Sequence, residues 1–214
     1  MTQIDNAQPL SPDDFKRYDD AADEAFYLVP RRVVHIDDGA IRALTALLTK
    51  LLPLSGVYLD LMSSWRSHLP DSAQPTRVVG LGMNLAEMAD NPQLDAYLVH
   101  NLNENPTLPF ATAEFDAAIC TVSVQYMTKP QQIFREVNRV LKPGGVFVVS
   151  FSNRCFPTKA IAAWVANGDQ AHQALVHSYF TASGNWTFRR SKRWSATPGC
   201  NSSAAATPRR RDTN

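Results

Sequence analysis

The chain has 214 residues, enough for one domain with a sizeable core and too few for two of ordinary size. Hydrophobic residues make up 44% and charged residues 19%, which excludes a disordered or fibrous chain. The net charge of +1 hides an asymmetry: residues 186–214 carry seven lysines and arginines and a single acid, leaving 14 bases and 19 acids in the first 185 residues.

Residues 1–36 are polar and acidic, with aromatics at Phe15, Tyr18, Phe26 and Tyr27, and read as an amino-terminal arm containing a short helix. They show no basic stretch followed by an apolar run, so no secretory signal is expected. The first firm element follows Asp37 and Asp38, which suit a helix cap; Ile41, Leu44, Leu48, Leu51 and Leu52 recur at helical spacing until Pro53. Lys50 and Pro53 interrupt this run, so it is too short to span a bilayer. Five short apolar runs follow, at residues 57–62, 77–81, 96–100, 115–124 and 146–151, and read as buried strands. Between the last two lies a helix with Pro130 in its first turn, a capping box from Thr128 and Gln131, and one apolar face of Ile133, Phe134, Val137, Val140 and Leu141. Pro143, Gly144 and Gly145 then turn the chain into the fifth strand. Strands alternating with helices predict an α/β fold with a mainly parallel sheet and helices on both faces.

Residues 157–179 read as another helix, divisible at Gly168 and Asp169. From Gly184 the hydrophobic period fails. Residues 185–214 are therefore expected to form a basic, disordered tail, leaving residues 37–184 as the domain and its closing strands missing. The tail's bases could meet phosphates, but without aromatic interleaving in a folded groove a solvated segment is expected over a nucleic-acid contact. Cys120, Cys155 and Cys200 show no Cys-x-x-Cys spacing and are odd in number, as expected of thiols in a reducing cytoplasm rather than a disulfide frame or zinc site.

Leu108-Pro109-Phe110, Glu114-Phe115-Asp116, Gln125-Tyr126 and the run from Glu136 through Leu141-Lys142-Pro143-Gly144-Gly145 carry a resemblance. In order and spacing they are similar to the class I S-adenosylmethionine-dependent methyltransferases of the type 11 domain group. The resemblance covers roughly residues 40–155 and implies a Rossmann-like sheet with S-adenosylmethionine across the carboxyl ends of its strands, where open α/β sheets bind ligands. It also implies methyl transfer to a small-molecule substrate. Mapped onto this sequence, the implied cofactor-binding positions are Asp60, Met62, Ser63 and Ser64 after strand one, Asn84 after strand two, Asn101 and Leu102 after strand three, and Val124, Gln125 and Tyr126 after strand four. No catalytic residue is implied, and no metal constellation is present.

Three departures stand out. The loop after Asp60, which in the family reads Gly-x-Gly-x-Gly, is Ser63-Ser64-Trp65-Arg66-Ser67-His68-Leu69-Pro70, without a glycine. The acid expected after strand two is replaced by Gly82, with Asn84 and Glu87 nearby, and the acidic position after strand three falls on Asn101. The serine loop could cradle a carboxylate with successive backbone N–H groups, or Trp65 could fill the cofactor's space. Asn84 and Asn101 suit ribose or adenine contacts and equally suit turns. His68 offers a base of near-neutral pKa or a half-buried loop residue. Gly80-x-Gly82 lacks the third glycine of a dinucleotide fingerprint, since Leu85 stands there. Two functions remain open: a methyltransferase, or a methyltransferase-like domain that has lost its cofactor and works by binding.

Overall fold

The computed structural model describes residues 10–194 and 203–211. In chain order the elements are helix α1 (Asp23–Tyr27), α2 (Asp38–Leu51), strands β1 (Val57–Leu61) and β2 (Arg77–Gly82), α3 (Leu85–Ala89), β3 (Ala96–Val99), β4 (Phe115–Thr121), α4 (Pro130–Val140), β5 (Leu141–Ser152), α5 (Ala162–Val165), α6 (Asp169–Ser183), β6 (Trp186–Trp194) and β7 (Ser203–Arg210). The strands form one sheet in the order β3-β2-β1-β4-β5-β7-β6. β1 to β5 run parallel, while β7 lies antiparallel between β5 and β6.

Side chains alternate across this sheet with the period of two that a pleated strand imposes. From β5, Val146 and Val148 face α2, joining Leu44, Leu47 and Leu48 with Tyr58, Val78 and Ile119. Phe147, Val149 and Phe151 face the other way, into a core with Phe134, Val137, Val176 and Phe180 from α4 and α6. There Phe134 sits edge-on to Phe147 and Phe180, with ring centroids 5.1 and 4.6 Å apart. Helices therefore cover both faces, as the alternating pattern predicts.

Local signals hold in part. Asp37 caps α2, its carboxylate accepting the Ala40 N–H at 3.0 Å. Pro130 opens α4, but the expected capping box does not form. The Thr128 N–H and hydroxyl both donate instead to Asn103 Oδ1, at 2.8 and 3.1 Å, because Asn103 reaches in from the loop after β3. The helix expected over residues 157–179 divides into α5 and α6, with Gly168 capping the second.

The expectation of missing closing strands and a disordered tail is corrected where the structure describes it. β6 and β7 pair with each other and with β5, so β5 is not an edge. Residues 195–202 and 212–214, including Cys200, lie outside the described residues. What seats β6 is Trp186, only 2% exposed: its indole N–H donates to Ser183 Oγ at 3.0 Å and its ring packs edge-on to Phe180 at 5.3 Å. Trp186→Ala should therefore cost about 3–5 kcal/mol in urea denaturation. A loss within about 0.5 kcal/mol, the usual size for a surface change, would contradict the docking of β6.

Candidate functional site

Strand order reverses direction between β1 and β4, and a parallel sheet opens a crevice at such a point, beyond the carboxyl ends of the strands. The crevice is built from the loops that leave those ends. Asp60, the fourth residue of β1, is 3% exposed, and a carboxylate so placed needs donors. Ser63 and Ser67 supply them: both hydroxyls donate to Asp60 Oδ2 at 2.6 Å. The chain therefore curls around one side chain, with Met62 and His68, at either end of the curl, both in the left-handed region at φ 57°.

The curl presses against the end of β2. The Ser63 N–H donates to the Leu81 carbonyl at 2.8 Å, and a Cβ at Gly82 would run into the Ser63 carbonyl oxygen. Asn91 closes the far side, donating to the Ser64 carbonyl at 2.8 Å and to Ser67 Oγ at 2.9 Å. At the end of β4 Val122 is held at φ 53°, a strained conformation for a β-branched residue that typically costs about 1–3 kcal/mol. Val122 lines the same crevice.

Of the residues singled out from the sequence, Asp60, Met62, Ser63, Ser64, Asn84, Asn101, Leu102 and Tyr126 line one cavity of about 120 Å³. Val124 and Gln125 do not line it. Both are fully buried, Gln125 Nε2 donating to the Val122 carbonyl and the Gln125 backbone carbonyl accepting the Ile161 N–H. Asn84 caps α3 through the Glu87 N–H and donates to the Tyr27 and Leu28 carbonyls. Asn101 donates to Glu24 Oε1 at 2.7 Å. Trp65 lines the cavity, and its indole N–H donates to the Val33 carbonyl at 3.1 Å.

The amino-terminal arm is thus part of the site, which sequence pattern did not reveal. Tyr27, Arg31, His35 and Ile36 line the cavity beside Phe156. Lys159, fully buried, ties the arm down by donating to the Ala21 carbonyl at 2.7 Å and pairing with Asp19 at 3.2 Å. A second residue lacking any strong sequence signal is Glu87. It sits five residues past Gly82, where the family's acid is missing, and is 8% exposed. Its carboxylate accepts the Ser64 hydroxyl and the Arg31 backbone N–H, each at 2.6 Å. Its position on the first turn of α3, next to the Asn84 cap, was the available clue.

Burial pushes the Asp60 carboxyl up to about 6, against the lowering effect of its two serines. Burial likewise holds the His35 and His68 imidazoles below their usual value, Arg66 adding to the effect at His68. Asp60 thus keeps a proton in the folded protein that the unfolded chain releases above its ordinary 3.8. This stabilises the fold at low pH, and the contribution is lost as pH rises through about 6. The size is on the order of 3 kcal/mol. Relative to Asp60→Asn, the wild-type chain should therefore lose stability between pH 4 and 7 in urea titrations. Parallel pH profiles for the two proteins would contradict a buried, partly protonated Asp60.

Residues 68–149 match the family model described as a methyltransferase domain. The biotin biosynthesis bifunctional protein BioHC of Teredinibacter turnerae is 42% identical over 50 residues, 23% of this chain and 9% of that protein, so the match spans a small part of its length. Among solved structures, an S-adenosylmethionine-dependent methyltransferase from Mesorhizobium loti aligns over 77% of this chain and 96% of its own, with TM-score 0.55 and 17% identity. The PH0226 protein of Pyrococcus horikoshii OT3 aligns over 88% and 99%, with TM-score 0.61 and 18% identity. The [4+2]-cyclase SpnF aligns over 88% and 91%, with TM-score 0.60 and 17% identity. At these identities the structures share the fold. Residues 68–149 are thus similar to a methyltransferase domain, and the chain shares the fold of an S-adenosylmethionine-dependent methyltransferase.

Proposed function

We propose that this chain is an S-adenosylmethionine-dependent methyltransferase acting on a small molecule in the cytoplasm, with the crevice above β1, β2 and β4 as its cofactor site. The observation that carries this reading is convergence: Asp60, Ser63, Ser64, Asn84, Asn101, Leu102 and Tyr126, drawn from four separate loops, line one cavity at the strand ends. The residues present fit such a ligand. Asp60, Ser63, Ser64 and Glu87 offer hydrogen-bonding groups for ribose and amino-acid ends, and Met62, Leu102 and Tyr126 offer apolar surface for a base.

When bound, S-adenosylmethionine supplies a methyl group on a sulfonium, transferred in line to the acceptor's nucleophilic atom. The chain's own contribution is to hold the two reactants in near-attack geometry and to keep water out. Glu87 is suited to take over the hydroxyl-accepting role of the acid missing at Gly82, since the Ser64 hydroxyl on its Oε2 is exchangeable for a ligand hydroxyl. His35 and His68 face the cavity, and their lowered pKa keeps them neutral, able to accept a proton near pH 7. No helix among the described residues is long and apolar enough to cross a membrane.

A second reading is a non-catalytic binding domain. It is favoured by the cavity's small volume, about 120 Å³, against the roughly 300–1,000 Å³ of ordinary ligand sites. The arm causes this, because Arg31, Asn84, Asn101 and Glu87 are hydrogen-bonded across the crevice. Calorimetric titration with S-adenosylhomocysteine separates the two. The methyltransferase reading expects saturable binding with an upward thermal shift, and an affinity about tenfold lower for Glu87→Gln, the loss of roughly 1.4 kcal/mol. No heat and no thermal shift at about 1 mM ligand would reject it.

A further inference from the structure

One edge of the sheet is left open. Among the described strands β3 closes the order at one end and pairs with β2 alone, while β6 closes it at the other. An edge strand offers a row of unpaired backbone N–H and C=O groups, which natural proteins guard with charge, proline, a bulge or a covering element. β6 carries Arg189, Arg190, Lys192 and Arg193 within its nine residues. β3 is Ala96-Tyr97-Leu98-Val99, with no charge, no proline and no shift of register.

Its faces are bare as well. Tyr97 is 38%, Leu98 42% and Val99 54% exposed. Successive residues of a strand point to opposite faces, so both sides of the sheet are open here. The connections explain why. In a parallel sheet the crossovers supply the covering helices. Among the described residues, the segments between β1 and β2 and between β3 and β4 hold no helix, and α3 has only five residues. Leu85 of α3, a helix that lies against β3, is itself 60% exposed. Large apolar side chains gathered on one uncharged edge mark an interface, where singly scattered ones would not.

We propose that this edge receives a second copy of the chain, β3 pairing antiparallel with β3 about a two-fold axis normal to the sheet. Such an axis keeps every side chain on its own face, so opposed residues lie an even number of positions apart. Centred on Leu98, it sets Leu98 against its counterpart, Tyr97 against Val99, Ala96 against His100 and Asp95 against Asn101. The strand is thus self-complementary: an aromatic meets a β-branched side chain, and no like charges oppose. Centred on Tyr97 instead, the pairing sets the Asp95 carboxylate beside Val99, although that carboxylate is already committed to the Val78 N–H at 2.7 Å. The exposed fractions of Leu85, Tyr97, Leu98 and Val99 amount to on the order of 300 Å² of apolar surface per copy. With the paired backbone, two copies fall at the small end of specific interfaces, below about 1,200 Å², which makes the dimer reversible rather than obligate. The loop leaving β3 supplies Asn101 and Leu102 to the crevice, so pairing also steadies one wall of that cavity. The inference does not depend on what the crevice binds.

Sedimentation velocity of the wild-type chain is the first test. A monomer–dimer equilibrium is expected, with the dimer appearing between about 1 and 100 μM. Leu98→Lys sets two cations face to face on the axis and should weaken the dimer at least about tenfold, with the urea midpoint unchanged because Leu98 is half-exposed. Thr187→Lys, on the opposite edge of the sheet, should leave the dimer as it was. Leu98→Cys reads the register. Two such cysteines meet across the axis within disulfide reach, so mild oxidation should link the chains much faster than it links Ala96→Cys, whose counterparts lie apart. A wild-type chain that stays monomeric at about 100 μM overturns the proposal and leaves the edge to a different occupant. So does a dimer that Leu98→Lys does not weaken, or one in which Leu98→Cys links no faster than Ala96→Cys. If Leu98→Lys does not fold, the two cysteine variants decide the matter alone.

Discussion

One buried carboxylate organises the end of this sheet. Asp60 stands on β1 where the parallel strands open, nearly cut off from water, and burying it without donors would be costly. Both serines that meet it lie in the segment that replaces the expected glycines. The loop therefore has to close into a curl, which forces Met62 and His68 to positive φ and brings the Ser63 carbonyl hard against β2. Gly82 follows from that contact, because no side chain fits there. Asn91, just past α3, then ties the curl to that helix, and Glu87 on the helix accepts the Ser64 hydroxyl.

The arm is the other half of the design. It crosses the crevice through the Arg31 N–H on Glu87, the Tyr27 and Leu28 carbonyls on Asn84, and Glu24 on Asn101. Its outer stretch is lightly held: Arg32 and Asp90 form a half-exposed pair, the sort that contributes little. Its root is held firmly, by buried Lys159 and by Asp23 on Arg17 and Asn103. A ligand entering the crevice would exchange hydrogen bonds with the arm rather than fill an empty hole. The same scaffold serves a methyltransferase and a [4+2]-cyclase among the structures it resembles, so chemistry belongs to the site and not to the sheet.

Much of this was legible in the sequence, for reasons that can be named. β1, β2, β4 and β5 are apolar runs buried on both faces, and a doubly covered parallel strand writes itself as such a run. α2 and α4 carry one apolar face each, and Asp37 is a cap with a mechanism. β6 and β7 were not legible. Apart from Trp186, which seats β6, they are rich in Ser, Thr, Ala and Arg and join the sheet by backbone pairing, so the sequence carries no sustained hydrophobic period there. The capping role given to Thr128 failed because a long-range partner, Asn103, outcompeted the local one. At the site, motif order located Asp60, the serine loop and Tyr126, while two adjacent positions, Val124 and Gln125, turned inward with the helical turn after β4. Arg31 and Glu87 carry no motif at all. Only folding the arm across the strand ends brings them together.

We propose that the serine-built curl around Asp60 and the arm above it form one ligand site. Hydrogen–deuterium exchange with and without saturating S-adenosylhomocysteine tests it most directly, since it reads each segment's backbone separately. Residues 60–68 and 82–87 are expected to become protected while exchange in residues 23–36 changes with them, and α2 and β5, on the body of the sheet, to stay as they were. Unchanged exchange in both the curl and the arm would contradict it.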